Sequence, residues 1–171
     1  MKRFAALIFA CLVAALVPQA TAAMPVKGWA NTDGGRGGRI LRVTNLNADG
    51  PGSFKWAVEQ PGKRIVVFEV AGAIDLGLKV ITIRQPDLTI AGQTAPSPGI
   101  TLIRGGIDIA THDVVVRHIR VRPGDGGRAR LSGNDYDAIS TLGGAYDVIV
   151  DHCSLTWATD ENLSEIGRAH V

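Results

Sequence analysis

Short runs of alternating apolar residues recur along this chain, and each run ends at a glycine or a histidine. The copies begin at Phe68, Leu88, Val114 and Val148. Within a copy the apolar residues lie two positions apart, which is the spacing of side chains on one face of a strand. Repeats of this length are typical of solenoids, propellers or arrays. The distance between copies grows along the chain, which indicates a constant core whose loops lengthen.

The parity of the apolar positions changes at the end of two copies. Apolar residues before His118 and those after it have opposite parity, and the same change occurs at His152. A change of parity indicates a corner, where one residue turns the chain between two strands. Glycine takes positive φ without strain, and histidine is among the residues enriched there. We therefore interpret Gly72, Gly92, His118 and His152 as corner residues, and the two histidines as structural rather than catalytic.

Short β-branched strands with glycine-rich corners and no helical periodicity predict an all-β fold, a parallel β-helix. Each of its coils buries an inner face only by stacking on its neighbours. We expect the regular coils to start at Arg64. A short helix precedes them, because Ser53 is a good N-cap and Pro61–Gly62 would end the helix near Gln60. The residues expected to cap the open end of the first coil are Phe54, Trp56 and Val58.

The first residues predict a secretory signal peptide rather than a part of the fold. Lys2 and Arg3 precede an apolar run over residues 4–17, and residues 20–22 form a small-x-small cleavage site. We therefore expect residues 1–23 to be removed and the protein to be secreted, either to the periplasm or outside the cell.

Charge and cysteine content narrow the possible partners. The sequence has 18 Lys and Arg against 16 Asp and Glu, and the signal peptide holds two of the basic residues. A balanced mature chain argues against nucleic acid as a partner, since that binding needs a basic stripe. Beyond the signal peptide the sequence has no second apolar run, so we expect no membrane partner. We also expect a monomer.

Once Cys11 is removed with the signal peptide, the only cysteine is Cys153, which the strand parity predicts to be a small buried residue.

Acidic residues gather after the longest loop. Asp135 and Asp137 alternate in an extended segment and so project to one side. Asp160 and Glu161 follow about one coil later, and coil stacking would bring the four carboxylates within about 5 Å of one another. A divalent cation would relieve their repulsion, and all-oxygen ligands in a secreted protein favour Ca²⁺ over Zn²⁺ or Mg²⁺. The alternative is ordinary turn chemistry of Asp and Asn.

Several segments together resemble bacterial pectate lyases of polysaccharide lyase family one. The resemblance covers Gly28 to about Ser164. It rests on Gly34–Gly38, Val43–Leu46, Gly50–Ser53 and Thr89–Gln93, and above all on Val150–Leu155 with Trp157–Asn162. That family folds as a right-handed parallel β-helix, the pectin lyase-like fold. The resemblance therefore implies that residues 24–164 are the N-terminal part of a lyase domain, with a β-helix that is incomplete at its C-terminus.

The resemblance also implies a site and a reaction. Asp135 and Asp137 would be Ca²⁺ ligands, together with a later acidic pair whose first member is Asp160. Ser164 stands where the second member is expected, so either Glu161 compensates or the cation site is weaker. Asp151 and His152 match a family motif with a structural role. The implied reaction is Ca²⁺-dependent β-elimination on a uronate polymer such as polygalacturonate. The family's catalytic arginine would lie beyond Val171, so we assign no catalytic residue and expect the chain as given to be inactive.

The last seven residues do not resemble a part of the fold. Residues 165–171 are what one frame of a common sequencing-library adapter encodes, so we expect a spurious tail on a truncated gene.

A non-catalytic, adhesin-like β-helix that binds polysaccharide is one alternative to the lyase. A polygalacturonase-type hydrolase is another. It ranks last, because it needs separated acid and base carboxylates and its Gly-His-Gly motif is missing from the residues present.

Overall fold

A computed structural model describes residues 30–127 and 136–165 of the chain. The predicted signal peptide, Asp135 and residues 166–171 of the predicted tail lie outside the described residues. Within the described ranges, no helix is both long and apolar enough to cross a membrane.

The described chain consists of thirteen short strands and one short helix, joined by turns. In chain order the elements are β1 Arg39–Val43, α1 Phe54–Glu59, β2 Arg64–Phe68, β3 Gly72–Asp75, β4 Ile81–Ile83, β5 Leu88–Ala91, β6 Ile100–Ile103, β7 Ile107–Ile109, β8 His112–Arg117, β9 Arg120–Arg122, β10 Ile139–Thr141, β11 Tyr146–Asp151, β12 Ser154–Leu155 and β13 Leu163–Glu165. A 3-10 turn, Gly92–Thr94, follows β5.

The strands form three sheets, and from β2 onward the chain visits them in rotation. Sheet A has the order β1-β2-β5-β8-β11, sheet B the order β3-β6-β9-β12, and sheet C the order β4-β7-β10-β13. Neighbouring strands within each sheet are parallel. This arrangement is a parallel β-helix, which confirms the predicted fold.

Aliphatic residues stack in register from coil to coil and form one core between the sheets. A fully buried aliphatic side chain contributes about 1.5–3 kcal/mol relative to an exposed one, so these rows supply much of the stability. The clearest rows are Val66–Ile90–Val116 in sheet A, Ile74–Leu102–Val121 in sheet B and Ile81–Ile107–Ile139 in sheet C.

The first two copies of the sequence repeat are not aligned as their pattern suggests. The pattern places Phe68 opposite Leu88, whereas Leu88 pairs with Arg64, and Phe68 pairs with Val43 of β1. Regular stacking therefore begins with β1, before the predicted start at Arg64. The hydrophobic pattern missed this register because Arg64 occupies a buried position of the row, where the pattern requires an aliphatic residue.

The predicted corners at the two histidines are confirmed. His118 and His152 have φ of 54° and 52°, and their rings stack with centroids 4.9 Å apart. Gly72 also has a positive φ, of 138°. Gly92 is needed for a different reason from the one expected. A Cβ on it would lie 2.5 Å from the carbonyl oxygen of Arg117, so the stacked coils approach too closely for a side chain.

Cys153 is less buried than its parity predicts. It is a free, half-buried residue that packs at the edge of the core, with its Sγ 3.6 Å from the carbonyl oxygen of Val116. Burial nevertheless raises the pKa of its thiol. The side chain therefore behaves as a small apolar residue with a weak donor.

The predicted capping helix is present as α1. Ser53 has an extended backbone, and its Oγ accepts a hydrogen bond from the backbone N–H of Trp56 at 3.2 Å. Phe54 and Val58 are buried in the core cluster, whereas Trp56 is partly buried against it. The helix thus covers the end of the core next to β1 and β2.

We expect Ser53→Ala to lower the free energy of unfolding by about 1 kcal/mol, because a helix N–H loses its acceptor. Urea unfolding followed by circular dichroism measures the change. Ser53→Gly is the matched control and should lower the free energy by only about a few tenths of a kcal/mol. Equal effects of alanine and glycine would contradict the capping role.

Candidate cation site

The candidate site lies where the chain passes from sheet B to sheet C in two successive coils. Residues 136–138 lead into β10 and residues 156–162 lead into β13. Ile139 pairs with Leu163, and the ladder continues before the strands, since the backbone N–H of Ala138 donates to the carbonyl oxygen of Glu161 at 3.1 Å. Stacking of the coils therefore sets Asp137 beside Glu161.

Three of the four predicted ligands come together in the described residues. Carboxylate oxygens of Asp137, Asp160 and Glu161 lie within 4.8 Å of one another. Asp137 is half-buried and the other two are exposed. Asp135 lies outside the described residues. The grouping is an observed geometry, whereas its role as a metal site stays a prediction.

The Asp137 carboxylate is held by hydrogen bonds from its own surroundings. Its Oδ1 accepts the backbone N–H of Glu161 at 3.0 Å, and its Oδ2 accepts the hydroxyl of Ser140 at 2.5 Å. An ionised carboxylate has about four lone-pair sites, so each oxygen keeps one for a cation. These two hydrogen bonds fix the orientation of the carboxylate and still leave both oxygens able to bind a cation.

A second set of bonds joins the two segments that carry the acidic residues. The backbone N–H of Tyr136 donates to Oγ1 of Thr159 at 2.8 Å, and the N–H of Thr159 donates to the carbonyl oxygen of Tyr136 at 3.1 Å. The Tyr136 hydroxyl donates to the carbonyl oxygen of Leu78 at 3.0 Å. The first two bonds fix the turns of two successive coils on each other, and the third ties Tyr136 to a turn two coils earlier.

Asp108 is a neighbouring acidic residue that the sequence analysis missed. It lies in β7 and pairs with Ser140 of β10. Burial raises the pKa of its carboxyl, the negative charge of Asp137 raises it further, and Arg84 opposes the shift. Only the strand register reveals this neighbour, because Asp108 lies outside the acidic motifs. Its charge deepens the negative potential at Asp137.

Ser164 lies in β13, after the turn that carries Asp160 and Glu161. It is buried and pairs with Ser140, and its carbonyl oxygen lies 3.5 Å from Oγ1 of Thr141. Glu161 instead lies within the acidic group. This geometry favours the expectation that Glu161 takes the place of the family's second acidic residue.

Asp151 and His152 lie at a different corner, between sheets A and B. Asp151 Oδ2 is 3.1 Å from Nε of Arg117, and Asp151 Oδ1 is 2.5 Å from Nδ1 of His152. The Arg117 and Asp151 side chains are 14% and 21% exposed. A largely desolvated ion pair inside a stacked corner fits the structural role that was expected for this motif.

The chain is similar to several known proteins, each over part of that protein's length. No protein-family model matches the chain. The chain is 43% identical over 136 residues to "Probable pectate lyase C" of Aspergillus flavus, covering 79% of this chain and 30% of that protein. Identity to the protein of the same name in Emericella nidulans is 40% over 141 residues, with 82% and 31% covered. "Pectate lyase 5" of Ambrosia artemisiifolia is 30% identical over 144 residues, with 75% and 35% covered.

Among solved structures, the chain is similar to Jun a 1, the major allergen from cedar pollen. The TM-score is 0.64 at 20% identity, covering 81% of this chain and 44% of that one. At this identity the match shows a shared fold. The chain spans about a third of the length of the curated relatives it matches.

Proposed function

The chain is a partial homologue of pectate lyases, and from this premise we propose that it is part of a secreted, Ca²⁺-dependent polysaccharide lyase. We propose that the substrate of this enzyme is pectate, that is, polygalacturonate, and that the enzyme cleaves it by β-elimination. The observation that carries the proposal is the meeting of three carboxylates from two coils within 4.8 Å. Relatives named as pectate lyases at up to 43% identity support the choice of substrate.

The acidic group is suited to a hard cation. Ca²⁺ binds six to eight oxygen atoms at about 2.3–2.6 Å, in flexible geometry. Asp137, Asp160 and Glu161 supply several of these oxygens, and we propose Asp135 as a further ligand. The remaining positions are open to water and to a carboxylate of the substrate.

In this proposal the chain's residues position charge for the reaction. Ser140 and the Glu161 N–H orient the Asp137 carboxylate. When bound, Ca²⁺ supplies the positive charge that attracts the uronate carboxylate and stabilises the negative charge developing on it. Elimination removes the C5 proton and breaks the bond between C4 and its glycosidic oxygen, so that the electron pair of the C5–H bond forms the double bond between C4 and C5, and the departing oxygen takes up a proton and becomes a hydroxyl group. We assign no catalytic base to residues 30–127 or 136–165.

The proposed reaction is tested with the protein that the gene encodes, incubated with polygalacturonate and Ca²⁺. We expect ultraviolet absorbance from the unsaturated uronide product, which a chelator abolishes. A hydrolase would release reducing ends without this absorbance, and an adhesin-like protein would bind the polymer without cleaving it. Absence of the absorbance on polygalacturonate and on pectin would refute the lyase.

We expect Asp137→Asn to weaken Ca²⁺ binding by about tenfold or more, because affinity depends on the number of charged ligands. Isothermal titration into the millimolar range measures the affinity. Asp75→Asn is the matched control, since Asp75 pairs with Arg104 outside the acidic group. Indistinguishable affinities of wild type and Asp137→Asn would rule out Asp137 as a ligand.

A further inference from the structure

Trp157 is an exposed aromatic residue in the turn that also carries the acidic group. It lies between β12 and β13, three positions before Asp160. Its relative exposure is 73%, the highest of the large exposed hydrophobic residues in the described chain. Burying an indole ring is favourable, so a tryptophan this exposed leaves that free energy available for binding a ligand.

The backbone at Trp157 makes this choice of residue more unfavourable. Its φ is 64°, which a bulky side chain rarely adopts. Earlier coils have the same left-handed corner between sheets B and C, at Leu78, Arg104 and Gly124. The N–H of Gly124 donates to the carbonyl oxygen of Trp157 at 2.9 Å, so these two corners stack. Glycine satisfies this corner without strain, whereas Trp157 is strained and buries little of its ring.

A fixed positive charge lies over one face of the indole ring, and the other face stays open to a ligand. The Cζ atom of Arg122 is 6.0 Å from the ring centroid of Trp157. Arg122 donates from Nη1 to the carbonyl oxygens of Val121 and Ser154, and from Nη2 to Oγ of Ser154 at 2.7 Å. Within residues 30–127 and 136–165, no carboxylate forms an ion pair with Arg122 within 4.0 Å. Its charge is therefore anchored but not neutralised by that part of the chain.

An exposed aromatic face and an uncompensated guanidinium match the two faces of a uronic acid. The C–H groups of a pyranose ring are apolar and stack on an indole, and its carboxylate is attracted to an arginine. We propose that Trp157 and Arg122 form a subsite for one uronic acid residue of the polysaccharide, next to the acidic group. The inference rests on the proposed function, because that function supplies the class of ligand.

Calorimetric titration with oligogalacturonate in the presence of Ca²⁺ tests the subsite. We expect Trp157→Ala to weaken binding by about tenfold, which corresponds to the loss of one well-stacked ring. Trp157→Phe should retain most of the affinity, because it keeps an aromatic face. Trp56→Phe is the matched control, because it changes a tryptophan in α1, outside the proposed subsite. This variant should bind the oligomer as tightly as the wild type does.

The role of Arg122 is tested by the charge of the ligand. Arg122→Gln should weaken binding of the free acid several-fold and leave a fully methyl-esterified oligomer unaffected. Trp157→Ala should weaken binding of both oligomers. With wild-type protein, full esterification should weaken binding by at least as much as Arg122→Gln does, because it removes the contact of the carboxylate with Ca²⁺ as well as the contact with Arg122. Equal unfolding midpoints confirm that the variants are folded.

Two results would overturn the subsite in different ways. If Trp157→Ala binds oligogalacturonate as tightly as wild type does, the subsite is wrong, while Ca²⁺-dependent cleavage by the same protein leaves the proposed function intact. If wild-type protein binds neither Ca²⁺ nor any uronide oligomer, both proposals fail. Unchanged Ca²⁺ affinity in Trp157→Ala, together with weaker oligomer binding, supports the subsite and separates it from the cation site.

Discussion

Replacing Arg64 by alanine is expected to lower the free energy of unfolding by about 3–5 kcal/mol, because it both leaves a buried carbonyl group without a donor and opens a cavity in the core. Arg64 is fully buried. Its guanidinium donates to four main-chain carbonyl oxygens: those of Val58, Gly62, Gln85 and Pro86, at 2.5, 3.1, 3.1 and 2.8 Å.

The loss has two physical sources. Val58 lies in the last turn of α1, where helix carbonyls have no partner within the helix, so Arg64 satisfies a group that would otherwise be orphaned. Alanine would leave the buried carbonyl group of Val58 without a donor and would also open a cavity in the core. Burial lowers the pKa of Arg64 to about 10, and the charge of Arg39 adds to the shift. Its hydrogen bonds therefore have to offset an unfavourable buried charge.

Urea unfolding monitored by circular dichroism measures the effect. Arg42→Ala is the control, because Arg42 forms an exposed ion pair with Glu69 in which the side chains are 61% and 47% exposed. Such pairs contribute about 0–1 kcal/mol. Arg64→Lys should also destabilise the protein, since one ammonium group cannot reach all the carbonyls. A loss below about 1 kcal/mol for Arg64→Ala would show that water or the backbone satisfies those carbonyls instead.

Arg64 also explains where the sequence could and could not predict the fold. Side-chain parity was sufficient to predict a parallel β-helix, because stacked coils require the same face of each strand to be apolar. The register of the first coil was not predictable in this way. An arginine at a buried position breaks the apolar row, and the carbonyls that accept its hydrogen bonds come from distant segments.

At the corners, too, local sequence preferences predict some residues, and only the stacking of the coils explains the others. His118 and His152 could be predicted as corners, since histidine is enriched at positive φ. The stacked coils impose that conformation on other residues as well, some of which local propensity disfavours. These further residues are Asp87, Asp113 and Asp147 where the chain enters sheet A, and Leu78, Arg104 and Trp157 between sheets B and C.

The candidate site was predictable in position but not in detail. The distance along the chain from Asp137 to Asp160 and Glu161 matches one coil, so stacking alone brings these residues together. The hydrogen bonds that orient Asp137, and the half-buried Asp108 beside it, depend on side-chain directions that spacing does not encode. Asp135 stays a prediction, because it lies outside the described residues.

Gly106→Ala is expected to lower the free energy of unfolding by about 3 kcal/mol, the upper range for overpacking, and to weaken Ca²⁺ binding as well. A Cβ on Gly106 would lie 2.1 Å from the carbonyl oxygen of Asp137 and 3.0 Å from that of Ala138. The obstacle is backbone, which cannot rotate away as a side chain can. The segment carrying Asp137 must therefore move outward, which strains the 3.0 Å hydrogen bond from Ile107 N–H to the Ala138 carbonyl oxygen.

Gly143→Ala is the matched control, because a Cβ on Gly143 would meet no atom within 4 Å and its backbone lies outside the positive-φ region. It should change the free energy of unfolding by less than about 1 kcal/mol, since alanine fits there without strain and restricts the unfolded chain. Urea unfolding and Ca²⁺ titration are measured on both variants. If Gly106→Ala unfolds like Gly143→Ala, the coils are not packed as closely at Asp137 as the structure indicates. If it is destabilised yet binds Ca²⁺ as the wild type does, the cation site does not depend on the backbone position of Asp137, and the proposed ligand geometry is wrong.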